Sequence, residues 1–190
     1  MKLLEDRILR DGECRPGDVL KVDSFLNHQI DVTLLCEIGR EFEKLYHEAG
    51  VTKILTVEAS GIGVACITAQ FFGVPVVFAK KSKTSNIAND VYSAKVDSYT
   101  HGITNTVMVS KQYLHPEDRV LIVDDFLAKG QALLGLSKIV RQAGAQLVGA
   151  GIVIEKAYQG GGDLLRLQGV RVESLARIAS LDPEQGIRFI

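Results

Sequence analysis

The chain has 190 residues, 46% hydrophobic and 24% charged, which is enough apolar material for one well-buried globular domain and shows no shift in composition that would divide it. A formal net charge of −1 leaves no basic footprint for nucleic acid and no long single-sign block for a membrane surface, so small-molecule partners are favoured. Met1-Lys2-Leu3-Leu4-Glu5-Asp6-Arg7 meets charges before any apolar core long enough for a signal peptide, and no later run approaches membrane-spanning length; a soluble, unprocessed protein is expected. Cys14, Cys36 and Cys66 are odd in number and lack the close pairing of a metal knuckle or redox motif, which fits buried or incidental thiols in a reducing cytoplasm.

Along the chain, Leu3 to Arg10 carries apolar residues at helical intervals, and Leu20 to Ile30 reads as irregular or extended. Asp31 caps a second helical pattern through Leu34, Leu35, Ile38, Phe42 and Leu45, ending at Gly50. Lys53 to Val57 is a short apolar strand, followed by a small-residue helix from Gly61 to Phe72 that Gly73 stops. Pro75 to Ala79 is a further strand, and Lys80 to Asn89 has the basic, polar, aperiodic character of a mobile surface loop. Extended pieces near Tyr92 to Tyr99 and Thr104 to Ser110 precede a strand from Arg119 to Val123. A helix to about Gln142, a strand from Gln146 to Ile154, a helix near Asp163 to Leu167 and a strand from Arg171 to Ile178 complete the pattern. Alternating β and α units predict a mostly parallel sheet with helices on both faces.

The chemistry concentrates at Val120-Leu121-Ile122-Val123-Asp124-Asp125-Phe126-Leu127-Ala128-Lys129-Gly130-Gln131-Ala132. An apolar run buried on both faces should end in two carboxylates at the carboxyl edge of the sheet, where open α/β folds bind ligands. Ala128 to Ala132 lacks bulky branched side chains, so its amides can approach a phosphate at the start of the next helix. The combination reads as a phosphosugar site. Receiver domains also open on paired aspartates, but they need a phospho-acceptor on a later strand and most of the domain after the pair; too little chain follows here. Gly61-Ile62-Gly63 has Cys66 where a dinucleotide fingerprint places its third glycine, so Glu58-Ala59-Ser60-Gly61 reads better as a second anion-binding turn. Beside two such turns, Lys80, Lys81 and Lys83 suit a lid closing over diphosphate. Lys156 ends an apolar strand, and from its position alone a structural role and a ligand contact stand equally open. His28, His47, His101 and His115 lack metal-ligand spacing, and no Ser/His/Asp or Cys/His arrangement supports a covalent nucleophile.

Together, the strand, acidic pair and short loop resemble the signature of the type I phosphoribosyltransferases. The common family loop reads Ala-Thr-Gly-Gly-Thr, whereas Ala128-Lys129-Gly130-Gln131-Ala132 lacks both threonine hydroxyls and one glycine, leaving a backbone cradle. This variant loop, the segment Leu20 to Asp31 and Val153-Ile154-Glu155-Lys156 extend the resemblance over essentially the whole chain, to the bacterial purine-salvage members that act on xanthine. The resemblance implies an α/β type I phosphoribosyltransferase fold spanning residues 1–190, with a small hood formed by about residues 1–32. It implies transfer of phosphoribose from phosphoribosyl diphosphate to xanthine. Asp124 and Asp125 would then address the ribose hydroxyls and reach a metal only through water. Lys81 would close over the diphosphate; Ala128, Lys129, Gly130, Gln131 and Ala132 would hold the 5-phosphate. Glu58, Ala59, Ser60 and Gly61 would hold the diphosphate, and Leu20, Asn27 and Lys156 would surround the base. Mg2+ bound with phosphoribosyl diphosphate, and a cytoplasmic homodimer, are further implications.

A lysine ammonium only donates hydrogen bonds, so Lys156 suits the 6-oxo group of a purine and disfavours adenine. It does not separate xanthine from guanine or hypoxanthine, which share that oxygen, and those bases remain alternatives. A non-catalytic phosphoribosyl diphosphate sensor of the same fold is the rival from another class. Such purine regulators carry an added N-terminal DNA-binding module, whereas only a short helix precedes the hood segment here, and the charge lacks a basic face.

Overall fold

The computed structural model describes residues 1–81, 90–98 and 103–190. Helix α1 (Lys2–Asp11) leads into a small hairpin, β1 (Glu13–Arg15) and β2 (Val19–Lys21). The segment expected to be irregular or extended then winds into a π-helical turn, Asp23–Asn27, which buries Phe25 and Leu26. Helix α2 (Val32–Tyr46) starts where expected, with the Asp31 carboxylate accepting from the Leu34 amide at 3.1 Å. Its apolar stripe, Leu34, Leu35, Ile38, Phe42 and Tyr46, is buried.

Strand β3 (Lys53–Val57) is buried along its length and feeds α3 (Gly61–Phe72), which Gly73 ends in the left-handed region at φ 65°. Strand β4 (Val76–Ala79) and the ribbon strands β5 (Val91–Ser98) and β6 (Ile103–Ser110) follow. The second half comprises β7 (Arg119–Leu127), α4 (Gln131–Gln142), β8 (Gln146–Lys156), α5 (Gly161–Leu167), β9 (Val172–Asp182) and β10 (Gly186–Phe189). Sequence reading missed β10, which returns antiparallel to β9 after a short turn at 183–185.

The main sheet has six strands in the order β10-β9-β8-β7-β3-β4, parallel except for β10. On one face, α1, the hood, α2 and α3 cover a core that includes Leu4, Phe25, Phe42, Ile54 and Val123; on the other, α4 and the β5–β6 ribbon cover Leu55, Ile122, Leu136 and Ile152. From β3 the chain winds outward to β4, whereas from β7 it winds the opposite way through β8 to β9. The reversal point therefore lies between β3 and β7, where open α/β sheets present a ligand crevice.

Strand β7 corrects one expectation. It does not end at Val123 with the acidic pair at its edge; it continues through Asp124, Asp125 and Phe126 to Leu127. The reason is its neighbour. Strand β8 runs beyond the expected Ile154 to Lys156, pairing Asp124 with Ile152, Phe126 with Ile154 and Leu127 with Glu155, whereas pairing with β3 stops at Ile122. The carboxylates thus stand where β3 falls away. No helix among the described residues is long and apolar enough to cross a membrane.

Candidate active site

Asp124 and Asp125 are 4% and 6% exposed. An Asp124 carboxylate oxygen accepts from the Asp125 amide at 3.1 Å and lies so near the start of α3 that a Cβ on Gly61 would stand 2.8 Å from it. The same Cβ would collide with the Thr56 hydroxyl, a fully buried oxygen without a hydrogen-bond partner among the described residues. Glycine at 61 is therefore what allows the turn after β3 to close on the acidic pair. Burial, and then the adjacent Asp125 carboxylate, push Asp124 well above the usual carboxylate range, and the Lys81 ammonium partly opposes this.

Glu58 to Gly61 form a tight turn that includes a cis peptide between Glu58 and Ala59. The Glu58 amide donates to the Ala79 carbonyl at 3.1 Å, and the Glu58 carboxylate accepts from the Lys81 amide at 2.5 Å, which ties this turn to the end of β4. Lys80, expected in the mobile loop, is instead paired through its backbone with Met108 of β6. Lys83 and the remainder of the expected lid, 82–89, lie outside the described residues.

The second turn, Ala128 to Ala132, overlaps α4: Gln131 and Ala132 already belong to the helix, and Gly130 caps it with φ 79°. Unlike α2, neither α3 nor α4 has a side-chain cap, so apart from the Ile62 amide, which donates to the Ala59 carbonyl at 3.2 Å, their first-turn amides have no capping side chain. A cavity of about 300 Å³ opens over this turn, with Lys81, Lys129, Phe126 and Gln159 in its wall. Val96 and Asn105 of the ribbon complete that wall, a contribution that sequence reading missed because the ribbon reaches the loop only through the fold.

Lys156 is half-buried at the end of β8. Its ammonium donates to the backbone carbonyl of Asp18 in the hairpin turn and stands 5.9 Å from the Phe126 ring centre. Burial lowers its pKa, with Asp18 pulling in the opposite direction. Leu20, 7% exposed, packs within the hood, and Asn27 lies exposed at the end of the π-helical turn; neither lines the cavity over the phosphate loop. The geometry thus gathers the acidic pair with Gly61, and Lys81 with residues 128–132, while the proposed base contacts stay at the hood end. Among the described residues, no group of three or more His, Cys, Asp or Glu could hold a metal by itself.

Sequence reading also passed over the run Gly160-Gly161-Gly162, which opens α5 and whose middle member, Gly161, packs against the 128–132 turn. Behind it, Glu155 is 1% exposed and receives both terminal nitrogens of Arg166, at 2.9 and 2.8 Å, and the Arg177 side chain at 3.2 Å. Burial alone would raise its pKa, but the arginines overcome that and hold it below the usual range. Three consecutive glycines after a strand were the available signal.

Residues 31–163 match the phosphoribosyl transferase domain family. The chain belongs to the phosphoribosyltransferase family. Its curated phosphoribosyltransferase relatives include the xanthine phosphoribosyltransferase of Lachnoclostridium phytofermentans, 56% identical over 98% of this chain and 96% of that protein. That of Ruminiclostridium cellulolyticum is 57% identical over 96% of each. Among solved structures, the adenine phosphoribosyltransferase of Trypanosoma brucei, in complex with AMP, pyrophosphate and ribose-5-phosphate, superposes with a TM-score of 0.79 at 19% identity. It covers 96% of this chain and 83% of that one, and supports the phosphoribosyltransferase fold.

Proposed function

We infer that this phosphoribosyltransferase joins xanthine to phosphoribosyl diphosphate, releasing diphosphate and xanthosine 5′-monophosphate in purine salvage. The observation that carries the site assignment is a buried acidic pair at the sheet's reversal point, flanked by two uncapped helix starts. The choice of xanthine is supported by relatives of that name at 56–57% identity.

The reaction is difficult because the ribose gains positive character as its bond to diphosphate breaks. Asp124 and Asp125 place negative charge beside that centre and offer acceptors to the ribose hydroxyls, while the amides at the start of α4 hold the 5-phosphate. The turn from Glu58 to Gly61 receives the diphosphate through the amides of Ala59, Ser60 and Gly61, the Glu58 amide being committed to Ala79, and Lys81 balances its charge. Fixing both ends of the phosphosugar aligns C1 with the purine nitrogen, the main contribution of positioning. Lys156 donates to the 6-oxo group, and Leu20 and Asn27 of the hood face the base; a wrong C2 substituent would leave a polar group unpaired at a cost of about 1–3 kcal/mol.

Mg2+ binds hard oxygen donors and usually keeps several of its waters, and Asp124 and Asp125 would meet it through those waters while the substrate's phosphates hold it directly. When bound with the diphosphate, the ion supplies neutralisation of the leaving group's charge. The reading extends to a cytoplasmic homodimer in which residues 1–190 act as one domain with residues 1–32 as its hood. Steady-state assays with phosphoribosyl diphosphate and Mg2+, offering xanthine, guanine, hypoxanthine and adenine separately, test it. Xanthine should give much the highest kcat/KM. Preference for guanine or hypoxanthine would overturn the base assignment alone, and binding without turnover would overturn the enzyme.

A further inference from the structure

The 128–132 turn rests on a second piece of chain. Gly161, at the start of α5, donates its amide to the Ala128 carbonyl at 3.1 Å. Its Cα is pressed so closely against the turn that a Cβ there would collide with the Ala128 carbonyl oxygen and lie 2.5 Å from the Gly130 nitrogen and 2.6 Å from the Lys129 carbonyl carbon. These are backbone atoms, so no flexible side chain can swing aside to make room. The contact is reciprocal, since a Cβ on Gly130 would stand 3.2 Å from the Gly161 carbonyl oxygen.

The two flanking glycines differ from Gly161. Gly160 adopts the left-handed region at φ 75°, yet has open space where a side chain would project. A Cβ on Gly162 would collide with the Glu155 carboxylate, and that group is pinned by Arg166 and Arg177. Gly161 is therefore pressed against the turn assigned to the 5-phosphate, while its neighbour Gly162 is backed by the buried ion cluster.

We propose that Gly161 is a positioning residue for phosphoribosyl transfer: it forms the floor that sets the height of the 128–132 turn, and any side chain there tilts the phosphate-binding amides out of place. The inference rests on the reading of that turn as the 5-phosphate site. A purely structural role for the α5 turn would show in stability alone; a floor shows in the affinity for one substrate.

The test compares wild type, Gly161→Ala and Gly160→Ala by steady-state kinetics and by calorimetric binding of phosphoribosyl diphosphate with Mg2+. Gly161→Ala should raise both KM and Kd for phosphoribosyl diphosphate about tenfold or more. Its KM for xanthine, measured at saturating phosphoribosyl diphosphate, should stay within about twofold of wild type. Gly160→Ala strains the same turn without touching the phosphate loop, so it should lower Tm and leave the KM for phosphoribosyl diphosphate unchanged. Wild-type affinity in Gly161→Ala, or an equal loss in Gly160→Ala, would overturn the proposal. Should Gly161→Ala not fold, Glu155→Gln loosens the support from behind; a rise in the same KM supports the floor, and no change overturns it. Failure of the wild type to bind phosphoribosyl diphosphate would instead overturn the assignment of the turn itself.

Discussion

Strands β3 and β7 carry buried charge at both ends, and the two ends are built on opposite rules. At the amino end, the Lys53 ammonium donates to Asp118 and to the Tyr113 carbonyl, each at 2.8 Å, and Asp118 also accepts from the His115 amide at 2.8 Å. Burial would raise the Asp118 pKa, but the Lys53 and His115 hydrogen bonds overcome it and hold the carboxyl below its usual range. Roughly 20 Å along β7, two carboxylates adjoin each other and a buried Thr56 hydroxyl has no partner among the described residues. One end satisfies its polar groups for stability. The other sets like charges side by side and leaves a hydroxyl unmatched among the described residues, the pattern expected where stability is traded for chemistry.

The sharpest way to break this contrast is to neutralise the carboxyl end. Asp125→Asn should lower kcat/KM for phosphoribosyl diphosphate on the order of 100- to 1000-fold, and it should move the acid limb of the pH profile to lower pH because Asp124 loses its like-charged neighbour. Steady-state assays across pH check both effects. At the amino end, Lys53→Met strands the Asp118 carboxylate and should cost about 3 kcal/mol of unfolding free energy in urea titrations, with kinetic constants unchanged in the folded protein.

The two ends should also respond to pH with opposite signs. Asp118, held below its ordinary 3.8, contributes stability above that value that is lost as pH falls through its depressed pKa. Asp124 is raised above 3.8, so its contribution is present at low pH and lost as pH rises from 3.8 through its raised pKa. Asp124→Asn removes that loss, and should raise Tm at neutral pH by about 3 °C while abolishing most turnover. Tyr46→Phe gives the smallest effect, away from both ends: its hydroxyl donates to the Ala150 carbonyl at 3.0 Å, and losing it should cost about 1 kcal/mol with activity retained.

Locally encoded features were legible in the chain. The bounds of β3 and α3 follow from an apolar run and glycines at 61 and 73, and the Asp31 cap needs only Leu34 three residues on. The acidic pair and the two turns beside it could be located because carboxylates and small residues stand out at the ends of apolar runs. The far end of β7 could not, because its length is set by β8, and nothing in Asp124-Asp125-Phe126-Leu127 says how long that neighbour is. Likewise Gly161 meets the 128–132 turn across 30 residues of sequence, and the ribbon's place in the cavity wall depends on packing against α4.

The unequal lengths of the central strands have a further effect. From Val123 to Leu127, β7 lies beside β8 only, so in the middle of the sheet it has the character of an edge strand. An open edge normally invites pairing with another chain. Here the Asp124 carboxylate takes up the Asp125 amide, and the glycine-started α3 closes over the gap before any foreign strand could enter. A weakness that other sheets hide at their margins has been brought inward, where only a molecule small enough to slip between two helix ends can exploit it.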